Sequence, residues 1–192
     1  MKKTIIITAL LIFVYSGCAF KNQKIAIEYE SNGQTSNETA TICLNKFSDN
    51  RLVKHRIGIV KNGMGVETAD ILTDQDIRIL ISNSIKEEMQ NLGYSVKLID
   101  VEYGKGINKY DTCDIVDGQI KEVFVEPIFS MFSVEGKAII TINMLIQTQS
   151  GKEFKKIYSS NGGATSYGGH PALFKESMDK ALANLILERH QN

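Results

Sequence analysis

Residues 131–149 read MFSVEGKAIITINMLIQTQ, and this run constrains the fold more than any other. Val134, Gly136, Ala138, Ile140, Ile142, Met144 and Ile146 recur at every second position, and Glu135, Lys137, Thr141, Asn143 and Gln147 fill alternate ones. Only a β-strand sends successive side chains to opposite sides, so the pattern predicts a long strand with one apolar and one wetted face. Ile139 and Leu145 interrupt the polar side. Ser150-Gly151 then predicts a hairpin turn into an antiparallel partner over 152–160. Residues 113–126 read as another strand despite the turn-prone Asp117-Gly118. Shorter strands are predicted at 24–29, 41–47, 56–60 and 94–101, with loops, turns or breaks at 30–40, 48–51, 61–65 and 102–111.

Two segments carry helical periodicity instead. Thr73 is placed to cap the first, with Asp74 and Asp76 in its opening turn, where negative charge meets the positive end of the dipole. Ile77, Leu80, Ile81, Ile85, Met89 and Leu92 form one apolar stripe, and Gly93 is placed to end it. The second helix opens at Pro171 and buries Phe174, Met178, Ala181, Leu182, Leu185 and Ile186. The Gly-rich 161–169 reads as the loop leading into it. The order of elements implies an α+β fold, a largely antiparallel sheet with two helices packed on one face.

The first residues address the chain rather than shape it. Met1-Lys2-Lys3 precedes TIIITALLIFVYS, 13 uncharged residues over 4–16. A bilayer span needs about 20 apolar residues, so this reads as a secretory signal and not as a membrane helix. Ser16 and Gly17 fit a protease cleft, and Cys18 then offers a thiol for a diacylglycerol, although Tyr15 stands where an aliphatic residue is usual. An ordinary signal peptide containing a cysteine is the alternative. The expected organisation is a lipoprotein signal peptide over 1–17, a lipidated N-terminus with a short strand and polar linker over 18–40, and one α+β domain over 41–192. Each buried lipid methylene contributes about 0.8 kcal/mol, so two or three acyl chains on Cys18 hold the chain to a membrane. By likeness to Gram-negative lipoproteins, Ala19 in place of Asp favours the outer membrane, with the domain in the periplasm.

Processing removes Lys2 and Lys3 from a balance of 22 basic and 22 acidic residues, leaving a net charge of about −2. That is not the footprint of a nucleic-acid ligand. Cys43 and Cys113 remain. An oxidising periplasm permits a bridge between them, but both lie in apolar strand-like contexts, where a buried free thiol is the commoner state.

The order of motifs resembles YajG-type bacterial envelope lipoproteins. A strand ends in Asp49-Asn50-Arg51, a Gly-containing turn follows, and a helix opening after Thr73 carries Asp76-Ile77-Arg78 and ends in Gly93-Tyr94. The resemblance covers most of 18–190 and rests chiefly on the helix-to-strand segment. It implies an envelope lipoprotein with no enzymatic activity to carry over.

Templates for chemistry find little to hold. His55, His170 and His190 lack ligand spacing and read as surface residues. Asp111, Asp114 and Asp117 before Gly118 lack the alternate carboxylates of a calcium loop and read as turn and edge charges. The stretch 161–169 precedes a helix, as an anion cradle does, but lacks the Gly-Lys-Ser/Thr ending. Ser159, Ser160 and Ser166 have no nucleophile-elbow context. Arg51, Lys54, His55, Arg56 and Lys61 form a basic stretch suited to anionic head groups or an acidic partner, or to defending a strand edge. The Asp49–Arg51 and Asp76–Arg78 elements suit arginine forks pairing with carboxylates across strand and helix. The expectation is a non-catalytic accessory or binding component of the envelope, tethered through Cys18, with an envelope protein partner and no cofactor, metal or nucleic acid. A small-ligand or glycan-binding domain is the alternative, and a hydrolase ranks last.

Overall fold

The alternating run forms a strand, β8 (Val134–Gln147), whose Ala138, Ile140, Ile142 and Met144 are buried while Glu135 and Lys137 face water. It is seen in a computed structural model that describes residues 21–31, 40–105, 112–166 and 171–187. The signal segment with Cys18, together with Asp111, His170 and His190, lies outside the described residues. β8 pairs antiparallel with β7 (Asp114–Phe129) on one side and β9 (Glu153–Ser166) on the other, placing Ile142 between Ile120 and Tyr158.

The expectation of a largely antiparallel sheet needs correction. Along the free edge of β7 lie three short strands in series: β2 (Thr41–Asn45), β3 (Ser48–Asp49) and β4 (Gly58–Lys61), all parallel to it. β6 (Ser95–Ile99) joins β2 in parallel, and β1 (Gln23–Lys24) joins β5 (Glu67–Leu72) in parallel. Beyond the long meander, only β4–β5 is antiparallel among the described residues, so the sheet is mixed. The cause is connectivity. Strands returning to one edge after a helical crossover run parallel, and such crossovers leave no two-residue turn signal in the sequence.

The first helix, α1 (Ile77–Asn91), begins later than expected. Its N-cap is Asp76, whose side chain accepts from the Arg78 N–H, while the Thr73 hydroxyl serves the Gln75 N–H one turn earlier. Gly93 ends the helix at φ 88°, and the Tyr94 N–H returns to the Met89 carbonyl at 3.0 Å. The second helix is α2 (Pro171–Leu187). Ile77, Ile81, Ile85 and Met89 of α1 share one apolar cluster with Phe174, Met178, Leu182 and Leu185 of α2 and with Leu44, Ile120, Val125 and Ile140 of the sheet.

The Gly-rich 161–169 was expected to be a loop, but β9 continues through it to Ser166. Its glycine serves a close approach. A Cβ on Gly162 would overlap the Ser177 carbonyl and the backbone of Ala181 on α2. Hydrogen bonds from Ser160 Oγ to Ala181 O, 2.6 Å, and from Ser177 Oγ to Gly136 O, 2.8 Å, then stitch helix to sheet. Gly162→Ala is expected to lower unfolding free energy by about 1–3 kcal/mol in urea titration, because helix and strand must separate to admit the methyl.

Of the strand expected at 24–29, only Gln23–Lys24 pairs. The rest is held by side chains of both helices and of the turn before α1. Gln75 brackets the Ile27 peptide with bonds of 2.7 and 3.0 Å, Asp179 accepts from the Glu28 N–H, and the Tyr29 hydroxyl donates to buried Glu88. Ile25 and Ile27 enter the core. Cys43 and Cys113 are joined in a disulfide with Cα atoms 5.7 Å apart, correcting the free-thiol expectation. The pairing of β2 beside β7, with Cys43 opposite Ile115, brings together two thiols 70 residues apart. They sit with Ile99 and Ile115 in a second, small apolar cluster.

Candidate functional site

The segment 48–57 crosses the opening of α1, and between them lies a polar cleft of about 440 Å³. It is lined by Asp49, Arg51, Lys54 and Arg56 from the first segment and by Asp76 and Arg78 from the second. Both Asp-x-Arg elements border this cavity. Neither arginine reaches across to the other element, as a strand-to-helix pairing would require. Arg51 donates Nε and Nη2 to the two Asp49 oxygens at 3.0 and 2.9 Å, and its backbone N–H bonds the same carboxylate at 3.1 Å. Arg78 does the same with Asp76, at 3.0 and 2.6 Å with the N–H at 2.9 Å. The repeated geometry has one cause. An Asp side chain bonds readily to the N–H two residues on, and this places the planar guanidinium of that residue over both oxygens.

The two forks differ in setting. Arg51 is 7% exposed, and its Nη1 is buried without a partner. Burial raises the Asp49 carboxyl, but the Arg51 hydrogen bonds and charge outweigh it and hold Asp49 below the ordinary range. Asp76 is brought from 3.8 down to about 2, chiefly by the Arg78 hydrogen bond. A depressed carboxyl contributes stability that is present above its unfolded value and lost as pH falls through the folded one. The pair is partly exposed, so that contribution is at most about 1 kcal/mol. Asparagine caps helices as well as aspartate does. The stability difference between wild type and Asp76→Asn, followed by denaturation midpoints, is therefore expected to shrink as pH falls from about 4 to about 2.

The basic stretch is largely neutralised by residues remote from it. Arg56 bonds Asp70 at 2.7 Å and also Glu67, both on β5, which hold its guanidinium more strongly protonated. Lys61 pairs with Glu126 of β7. Lys54 and His55 are exposed at the rim. The β5 acids carry no sequence signal, because that strand's burial is too even to produce alternation.

Asp114, Asp117, Ser159 and Ser160 serve structure. Asp114 accepts from the Gln149 N–H. Asp117, 1% exposed, takes the N–H groups of Gly104 and Gly118 and the amide of Asn45, at 2.7, 2.8 and 3.0 Å. Burial pushes its carboxyl up despite those bonds. Asn45 also exchanges bonds with both backbone groups of Val101, so this network pins 101–104 onto the sheet. Ser159 bonds Thr141, and Ser160 is spent on Ala181.

The sequence matches no protein-family model and no curated protein. In three dimensions it is similar to a DUF330 protein of Xanthomonas campestris, at TM-score 0.59 and 12% identity over 88% of this chain and 91% of that one. It also aligns with a neuraminyllactose-binding hemagglutinin homolog of Helicobacter pylori, at TM-score 0.46 and 11% identity over 86% and 91%. Lipoprotein GNA1162 of Neisseria meningitidis aligns at TM-score 0.38 and 10% identity over 70% and 90%. At such identities a likeness is one of fold alone, and the fold this chain shares is that of the Xanthomonas DUF330 protein.

Proposed function

We propose that the chain is a non-catalytic, YajG-type lipoprotein of the bacterial envelope, acylated at Cys18 and held at the outer membrane with its domain in the periplasm. Its α+β domain, with both helices on one sheet face, presents a surface to an envelope protein partner. The observation that carries this reading is the N-terminal sequence: two lysines, 13 uncharged residues ending in Ser16, then Gly17-Cys18. The Cys43–Cys113 bridge supports an oxidising compartment. The cleft supports a structural rather than a catalytic role, since Asp49 and Asp76 are engaged by the arginines beside them. Cys18→Ala is expected to abolish incorporation of labelled palmitate and to release the protein from the membrane fraction. Continued labelling would overturn the assignment.

A second reading, binding of a small anionic ligand in the cleft, is favoured by two buried donors without partners, Arg51 Nη1 and Arg56 Nε. Titration with phosphorylated sugars or cell-wall fragments is then expected to raise the melting temperature progressively with concentration. A flat response would remove this reading.

A further inference from the structure

We infer that two uncharged turns at one end of the sheet form a membrane-docking face that dips into the bilayer interface beside the acyl chains on Cys18. This rests on the lipid anchor proposed above. The first turn, 62–66, reads NGMGV and exposes Met64 by 86% and Val66 by 56%. The second joins β7 to β8 within PIFSMFSV, residues 127–134, and exposes Met131 by 88% and Phe132 by 81%, with Ile128 and Phe129 also exposed. Isolated apolar side chains on a surface need no explanation, but these six gather at one place.

Strand direction puts them together. β4 runs parallel to β7 with Gly58 beside Val125, so the turn after Lys61 and the turn after Phe129 leave the sheet at the same end. The Lys61–Glu126 ion pair holds the two strands just below the turns. Arg56 takes up Glu67 at the foot of the first turn. The Lys61, Glu126 and Glu67 charges are thus matched, and bringing the turns to an interface strands none of these three ions in a dry layer. The opposite end of the sheet provides a contrast, because its β8–β9 turn reads TQSGK, residues 148–152.

The anchor points the same way. β1 is parallel to β5, with Gln23 beside Ile71, and the Asn22 side chain accepts from the Asp70 N–H at 3.0 Å. Moving upstream along β1 therefore follows β5 back toward Val66 and the turns. Cys18 lies five residues before Gln23, and Val66 lies five before Ile71. Five residues reach at most about 18 Å, and Gln23 stands about one such length from Val66, so the tether is long enough to bring Cys18 to the level of the turns. Methionine, phenylalanine and valine on projecting turns suit the boundary between head groups and acyl chains. A flat protein partner would instead call for a continuous apolar face.

The test uses the full chain, lipidated and reconstituted into vesicles of phosphatidylethanolamine and phosphatidylglycerol. With Cys18 acylated and Cys43 bonded to Cys113, a cysteine introduced by Met131→Cys, Met64→Cys or Ser150→Cys is the free thiol and takes one environment-sensitive fluorophore. Nitroxide-bearing lipids are expected to quench positions 131 and 64 at least about threefold more than position 150, because only the first two sit at the interface. Equal quenching at all three overturns the docking face. So does a blue-shifted probe at 131 that lipid nitroxides leave unquenched, since the turns would then be buried against protein. Protein that floats with the vesicles while position 131 stays in water retains the anchor and loses the docking face. Protein that fails to float overturns both.

Discussion

Reducing the Cys43–Cys113 bridge, or replacing both cysteines by alanine, is expected to lower the unfolding free energy by about 2–4 kcal/mol. The bond spans 70 residues. Loop-closure entropy for that length gives about 4.4 kcal/mol, and residual structure in the unfolded chain reduces what is observed. The bridge ties β2 to the start of β7, where pairing covers only Ile42 to Leu44, and β6 reaches the sheet through β2. The loss should therefore appear first as faster amide exchange in β2 and β6, with the β7–β8–β9 meander the last to open. Urea titration with and without reductant decides it. The midpoint falls and the slope m rises, since a chain without the cross-link exposes more surface on unfolding. For a domain of this size the thermal midpoint drops by about 5–15 °C. Superimposable curves would mean that the bridge closes a loop already closed by packing.

The same bridge shows where sequence reading stops. Each cysteine could be judged apolar in context, but that their Cβ atoms meet depends on β2 lying beside β7, a pairing between segments 70 residues apart. Features fixed within a few residues were legible. The alternation of β8 survives because one of its faces is buried from Gly136 to Met144, and the α1 stripe and Gly93 stop survive because helix periodicity and a positive φ are local demands. β5 was missed because ETADIL is mostly half-buried and so lacks alternation. Parallel pairing was missed because strands of two to five residues, joined by crossovers, give no sign of direction. The Gly-rich 161–169 reads as a loop, whereas Gly162 lies within a strand and lets α2 approach. At the cleft, both Asp-x-Arg elements were visible as motifs. That each folds back on itself, that both face one cavity, and that Glu67 and Asp70 answer Arg56, follow only from the tertiary arrangement.

The two halves of the Asp49–Arg51 fork are expected to respond very unequally to removal. The Arg51 side chain is 6% exposed and that of Asp49 18%. Asp49→Ala leaves a buried guanidinium with no anion against it, and uncompensated buried charges of this kind cost about 3–5 kcal/mol. Residual solvent at Asp49 places the expected loss near the lower bound, about 3 kcal/mol. Arg51→Met removes the charge and keeps most of the buried stem volume. Asp49 retains water and the backbone N–H of residue 51, so this change should cost about 1 kcal/mol or less. The double variant should lie close to Arg51→Met, because once the cation is gone the alanine strands nothing. Denaturant midpoints for the four proteins close the cycle, and equal losses from the two single changes would show that the pair is solvated. The Asp49→Ala protein also tests the cleft. Its Arg51, deprived of a carboxylate beside a cavity of about 440 Å³, should recruit sulfate or phosphate and regain stability as the anion is raised, whereas sodium chloride at matched ionic strength does less. Recovery with neither anion would mean that the fork is sealed from the cavity, and the ligand reading of the cleft would go with it.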